Sequence, residues 1–432
     1  MQEIWALLLE FLSSDNLNTQ VVAAGCVILG ACSALVGCFV VLRGQSLAGD
    51  VVSHAVLPGV CLAFLISGQK SIWLLSISAC FTGWLALWLS DFITRQTRIK
   101  ADTATAFTLS WFFGIGLVLL SLIQKSGNAA QTGLDHFLFG KAAAMLREDI
   151  YFICMVSFIT LTLVVFFYPA LKLYIFDGNF SKVSGLPIKW LEWLISTLTV
   201  MAVVVGVQCV GVVLMAALLV TPAIATRFWV KSLSAMLVLA AFIGSFSGFV
   251  GAFVSYTDSG IPTGPCIVLV ATAIALFSFF VAPQKGRLFM FLKQRHYHLK
   301  ITEENILKLF FMHHEHSQNF DQALSLQSIK NKRQFNNATF YIAWLSLLLK
   351  RYLQSHQNGF RLSPAGMQKA KRLVKLHRLW EVYLIRHAQM LPTQVHYFAE
   401  TIEHIISPEL EKVLEKELDY PKTDPHNKNI PY

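Results

Sequence analysis

The sequence predicts an all-α chain in two parts: a polytopic helical membrane domain of about eight spans, then a soluble, mainly helical domain. Three observations carry this. The 432 residues are 55% apolar and only 14% charged, too apolar for an ordinary soluble protein. The charge is unevenly placed, with 13 Lys/Arg against 12 Asp/Glu in residues 1–284 and 22 against 13 in residues 285–432, so the net +10 falls as +1 and +9. Histidine follows the same division, since His54 and His136 are in the first part and the other eleven in the second. All eight cysteines, from Cys26 to Cys266, lie in the apolar part, at no spacing resembling a zinc knuckle or disulfide framework, and read as small buried residues. The start MQEIWALLLEFLSSDN carries acids where a signal peptide has a basic segment, so no cleavable signal is expected.

A spanning helix needs about 20 mostly apolar residues. Such stretches run over 20–42, 48–67, 72–89, 104–122, 150–168, 191–225, 233–256 and 265–282. The sixth is long for one helix and short for two, and Pro222 near its end predicts a broken or re-entrant helix there. Basic linkers around Arg95, Arg98 and Lys100, around Lys172, Lys182 and Lys189, and around Arg227 and Lys231 favour the cytoplasm, whereas the loop at Asp258 has no basic residue. With 265–282 as the last span, the soluble domain is expected on the cytoplasmic side.

Ionisable groups within spans are costly and tend to be functional. In GQSLAGDVVSHAVLPGV a spacing of four puts Asp50 and His54 on one helix face, an arrangement suited to a divalent cation and equally to a proton relay or a structural hydrogen bond. His136, in the polar run QTGLDHFLFGK, reads as solvated.

The segment LVGCFVVLRGQSLAGDVVSHAVLPGVCLAFL resembles the permease subunits of bacterial ABC transporters for manganese, zinc and iron. So do DGNFSKVSGLPIKWLEWLISTLTVMAVVVGVQCVGVVLMAALLVTPAIATRFW and GIPTGPCIVLVATAIALFSFF, in the family's order across residues 20–283. The resemblance implies a permease domain over 1–284, paired with a second permease copy in the inner membrane. It also implies a separate cytoplasmic ATPase, an extracytoplasmic metal-binding protein that feeds the path, and a metal path lined by Asp50 and His54. It makes DGNFSKVSG, with Asp177, Phe180 and Gly185, the segment that docks on the ATPase. No GxxxxGK[ST] loop occurs, so the chain is not expected to be an enzyme, and the ATP chemistry is expected from a partner. A proton-coupled metal carrier is the rival reading.

Residues 285–300, in APQKGRLFMFLKQRHYHLK, read as a basic linker leaving the membrane. Beyond them helices are predicted over 303–313, 337–353, 364–387, 391–406 and 408–418. SPAG and SPEL offer serine caps followed by proline, and HQNGFRL reads as a small β-wing. His377 and Glu381 lie four apart on one predicted helix, and His396, Glu400, Glu403 and His404 form an i, i+4, i+7, i+8 stripe on the next. Two helices offering imidazole and carboxylate make a mixed N/O divalent-metal site, against the alternative of a solvated face of ion pairs. HHEH at 313–316 reads as a solvated helix end.

HRLWEVYL, AETIEHIISPELEKVL and PKTDPHNKNIP resemble the metal-sensing and dimerisation region of the diphtheria toxin repressor and manganese transport regulator family. The resemblance implies a degenerate winged-helix-like region over 301–362 and a metal-sensing, dimerising region over 363–432. Within it His377, Glu400, Glu403 and His404 are ligands shared with manganese regulators, Glu381 and His396 match the additional site of iron-type members, and Glu304 is a further ligand. Glu400, a cysteine in iron-type members, makes manganese the first choice of metal, iron the second and zinc the third. Leu307 departs from the pattern, standing where manganese regulators place a carboxylate. The would-be recognition helix is largely apolar. Asn336, Asn337, Thr339 and Tyr341 are the candidate base readers for operator DNA, and Lys330, Lys332, Arg333, Lys350 and Arg351 are candidate contacts for its phosphates or equally for the anionic inner leaflet. The rival is a tail that never touches DNA and acts by trans-inhibition or dimerisation.

Overall fold

The computed structural model describes residues 17–68, 71–125, 145–258, 261–283, 285–318, 323–356 and 359–432, with Leu7, Glu10 and Phe11 before them. His136 lies outside the described residues. The chain divides into two compact units, Met1–Phe289 and Met290–Tyr432.

The first unit is helical throughout its described length: α1 (Leu17–Leu42), α2 (Ala48–Ser67), α3 (Ile72–Gln96), α4 (Ala101–Lys125), α5 (Arg147–Phe176), α6 (Gly178–Val183), α7 (Ile188–Val210), α8 (Val212–Arg227), α9 (Leu233–Thr257) and α10 (Thr263–Val281). Eight of these are long and apolar enough to span a membrane, all except α6 and α8. Within hydrocarbon a helix satisfies its own backbone, which is why apolar runs of this length fold this way. The long stretch 191–225 is broken, but at Gly211 rather than at Pro222. Gly211 has φ +91°, a conformation glycine adopts without a steric penalty, while Pro222 is carried inside α8.

α2 is the central helix of the site. It is buried over most of its length and packs against α3, α4, α7 and α8. Pro58 lies in its interior. α1 runs along α9 and α8, and the approach to α9 is as close as backbones allow. A Cβ added to Gly30 would lie 2.2 Å from the Gly244 carbonyl oxygen, one on Gly244 2.1 Å from the Gly30 oxygen, and one on Gly248 2.3 Å from the Cys26 oxygen. Small residues four apart on both helices make this contact, as in other membrane helix pairs. The described cysteines are unpaired; Cys26, Cys32, Cys38, Cys61 and Cys266 are buried, as their apolar setting predicts.

The second unit holds α11 (Arg287–Ser317, beginning just before the division), α12 (Leu326–Lys332), α13 (Asn337–Leu349), β1 (Leu353–His356), β2 (Gly359–Leu362), α14 (Pro364–Ala388), α15 (Pro392–Ile402) and α16 (Pro408–Glu417). The stretch 285–300, expected as a linker, is helical from Arg287. The wing is an antiparallel hairpin pairing Leu353 with Leu362 and His356 with Gly359. Ser363 and Ser407 cap α14 and α16 by accepting from the backbone N–H of Gly366 and Leu410, at 3.0 and 3.3 Å. One apolar cluster joins Ile306, Leu307 and Phe310 of α11 to Phe340, Trp344 and Leu347 of α13; a second joins Leu379 and Val382 to Leu414, Leu418 and Ile430. Leu307, where the resemblance places a carboxylate, is fully buried in the first. HHEH is not a solvated end either: His314 is fully buried, and Glu315 accepts from Arg378 at 2.6 and 2.9 Å.

Candidate metal sites

In the first unit Asp50 sits in the first turn of α2, with His54 one turn on, both half-buried. The His54 ring stands edge-on to Phe113, centroids 4.7 Å apart, and its Nδ1 is buried without a hydrogen-bond partner. A buried polar atom left unpaired costs about 1–3 kcal/mol, which makes this nitrogen a candidate ligand atom. Beside the start of α2 a small pocket is lined by Gln45, Ala48, Asp91 and Asp102, among others, and Gln45 Nε2 donates to Asp91 Oδ1 at 3.4 Å. Asp91 escaped the sequence reading, which ended that span at 89; α3 continues to Gln96 and makes the carboxylate part of a helix.

Between the long helix α5 and α7 lies the short helix α6. The Asp177 side chain caps it by accepting from the Phe180 backbone N–H at 2.8 Å, and Gly185, at φ +74°, follows it. Phe180 and Val183 are 56% and 87% exposed, so this short helix presents an apolar pair.

In the second unit the tail residues separate into two groups around the His377 ring. On one side His377 Nε2, Glu381 Oε1 and His396 Nδ1 form a triangle with edges of 3.2, 3.0 and 3.0 Å. Among the described residues this is the one group of three His, Cys, Asp or Glu side chains whose ligand atoms could hold one ion. Donors about 2.1 Å from a cation and at right angles to one another are about 3.0 Å apart, so these edges fit one face of an octahedral divalent ion. Two imidazoles and a carboxylate with open positions also form the facial set used by iron(II). Burial opposes the charge on Glu381, but hydrogen bonds from His377 and His396 outweigh it and bring its carboxyl down to about 2. Burial likewise opposes charge on His377, yet its bonds to Glu381 and Glu403 raise its pKa.

On the other side His377 Nδ1 is 2.5 Å from Glu403 Oε2. Lys308 Nζ completes the group, 2.8 and 3.0 Å from the two Glu403 oxygens and 3.0 Å from His377 Nδ1. Burial acts against Glu403 ionising, but His377 and Lys308 hold its pKa below the ordinary value. His404 Nδ1 bonds Glu304 Oε2 at 2.7 Å. Glu400 stands apart, paired with Arg333 at 3.3 Å. The expected stripe is therefore split. α15 ends at Ile402, and the chain turns at Glu403, so Glu403 and His404 become buried while His396 stays exposed and Glu400 half-buried. A divalent ion fits the Glu381 side; on the Glu403 side an ammonium already fills the space between carboxylate and imidazole.

The basic candidates for DNA contact have neighbours at the surface of the fold. Lys332 Nζ lies 2.6 Å from His313 Nδ1, Arg333 donates to Asn305 and Glu400, and Lys330 stands 5.3 Å over the Tyr341 ring. Asn336 caps α13 through its side chain; Asn337 is exposed and Thr339 half-buried. The outer face of α13 presents Tyr341, Ile342, Leu345 and Leu349, each more than half exposed.

Residues 15–282 match the ABC 3 transport family, and residues 363–432 match the iron dependent repressor, metal binding and dimerisation domain. The chain is 37% identical over 381 residues to the manganese transport system membrane protein MntC of Bacillus subtilis, covering 88% of this chain and 87% of that one. It is 44% identical over 281 residues to the zinc transport system membrane protein TroC of Treponema pallidum, covering 65% and 94%. The solved structure of PsaBC from Streptococcus pneumoniae in complex with Fab superposes with a TM-score of 0.58 at 33% identity, over 66% of this chain and 99% of that one.

Proposed function

Because the chain belongs to the ABC 3 transport family of metal permeases and carries a repressor-type domain at its end, we propose that it imports manganese across a bacterial inner membrane. The observation that carries this reading is that Asp50 and His54, whose Nδ1 is buried without a hydrogen-bond partner, lie one turn apart on α2, a helix buried over most of its length. The similarity to a manganese permease extends beyond the spans into the tail, which favours manganese, with iron(II) next and zinc third. Asp50 and His54 line the path. A separate ATPase supplies the driving force, an extracytoplasmic binding protein delivers the ion, and two permease copies enclose the path. In proteoliposomes holding these partners, ATP should drive manganese uptake in preference to zinc. Uptake driven by a proton gradient without the ATPase would sink the assignment.

The ATPase docks on α6, where Phe180 and Val183 present apolar surface between Asp177 and Gly185. An aromatic anchor of this kind is worth about 2 kcal/mol or more. Phe180→Ala should therefore lower ATPase affinity about 30-fold in a pull-down titration with the purified permease, leaving permease stability unchanged. Wild-type affinity in this variant would exclude α6 as the anchor.

The tail is a cytoplasmic metal sensor that acts on the permease and not on an operator. Its metal is held by His377, Glu381 and His396, next to Glu304, Glu400, Glu403 and His404. The apolar outer face of α13 and the internal pairing of Lys332 and Arg333 support this over DNA binding. Base readout needs polar side chains in the groove, and phosphate contact needs free cations. A protein making 6–10 phosphate contacts loses about 10³–10⁵ in affinity between 50 and 200 mM salt. The purified full-length protein with manganese should show no such salt-dependent retention of its own promoter DNA, and a slope of that size would restore the repressor reading.

A further inference from the structure

Lys308 is 4% exposed and emerges from a stretch of α11 whose neighbours Ile306, Leu307 and Phe310 build the core of the winged-helix-like region. A buried ammonium is tolerated only where its charge and its three N–H groups are met. Here the charge is met by both oxygens of Glu403, at 3.0 and 2.8 Å, and His377 Nδ1 lies 3.0 Å away. That carboxylate is the one a metal ion would use in this position. We propose that Lys308 is a resident cation standing in for one metal ion, so that the tail takes divalent metal only on His377 Nε2, Glu381 and His396. The proposal rests on the reading of the tail as a metal-binding region.

The pairing of charges across the site points the same way. Glu403 has Lys308, Glu400 has Arg333, and Glu304 has His404, with Lys300 and Lys369 at 3.9 and 4.0 Å. Glu381 differs, because its partners are the imidazoles of His377 and His396, groups that exchange a hydrogen bond for a metal bond. A divalent ion entering beside Glu403 would meet a like charge at hydrogen-bonding distance, whereas beside Glu381 it meets donors alone. Glu403 keeps a role in the second case. By accepting from His377 Nδ1–H it leaves the Nε2 lone pair directed at the Glu381 side, as carboxylates behind ligating histidines do.

The test uses the full-length chain in lipid nanodiscs, with manganese(II) as the probe, counted by equilibrium dialysis and elemental analysis. Lys308→Ala should bind one more manganese per chain than the wild type, and Lys308→Arg, which keeps a cation there, should bind the same number as the wild type. An unchanged count in a folded Lys308→Ala, or a gain in Lys308→Arg, overturns the proposal. The wild type provides a readout that needs no variant. At saturating manganese its electron paramagnetic resonance spectrum should show magnetically isolated ions, and an exchange-coupled pair would mean that metal displaces Lys308. Glu381→Gln/His396→Ala should lose one ion. If it loses none, the metal-binding reading of the outer triangle fails, while the gain expected of Lys308→Ala is judged separately.

Discussion

Asp50→Asn is expected to abolish manganese uptake. The substitution keeps the volume of the side chain and removes its charge, so the fold stays while the path loses its carboxylate. Even a group that only supports a metal ligand costs about 10–100-fold when removed, so losing the carboxylate itself should cost more than about 100-fold in initial uptake rate. His54→Ala should act in the same direction and, because the two side chains share one turn of α2, the double variant should be little worse than either alone. Uptake of radiolabelled manganese into proteoliposomes, normalised to folded permease, decides it. A rate within a few-fold of wild type in Asp50→Asn would move the path elsewhere, with the cavity at Asp91 the next place to look.

The second large effect is on stability and lies at the seam of α1 and α9. A Cβ at residue 244 would need to retreat from 2.1 Å to an ordinary contact beyond 3.4 Å, and what it meets is backbone, which cannot rotate away. The helices must then separate by more than an ångström along a contact that includes Gly30, Gly248 and the Ser245 bond to the Val27 carbonyl at 3.3 Å. Overpacking a tight core costs about 1–3 kcal/mol, and Gly244→Val, which loads a branched side chain onto a backbone contact, should reach or exceed the top of that range. Gly114, on α4, has nothing within 4 Å of its missing Cβ, so Gly114→Ala should be neutral or stabilising by up to about 1 kcal/mol through helix propensity. Thermal unfolding of the two variants in the same detergent should shift in opposite directions, and equal shifts would mean that the seam tolerates separation.

How much of this was legible in the sequence depends on the range of the interaction. Helix caps act over three residues, and SPAG and SPEL were readable as caps because the bond from Ser363 to the Gly366 N–H closes within one turn. Spans were readable because hydrocarbon leaves the backbone few alternatives. The break at Gly211 was not, since proline is the more visible breaker in sequence, while a membrane helix accommodates an internal Pro222 and the glycine's positive φ is apparent only in three dimensions. The candidate metal ligands were named from spacing and from resemblance, but the split of the stripe was not foreseen from spacing, because it turns on where α15 stops. Lys308 left no signal at all. On an amphipathic helix a lysine reads as solvated, and its burial follows from Glu403, 95 residues further along.

Pro58 inside α2 has a consequence for the backbone at His54. A proline has no N–H, so the main-chain carbonyl four residues before it lacks its helical donor, and that residue is His54. Its oxygen is left to accept a hydrogen bond from water or a neighbouring side chain. One turn of α2 thus holds a carboxylate, an imidazole and a main-chain oxygen that the helix does not use. Two hard oxygens to one nitrogen, with no thiolate, is a composition that suits manganese better than the softer ions. For the import proposed above, selectivity would then begin in the covalent chemistry of a residue that carries no charge.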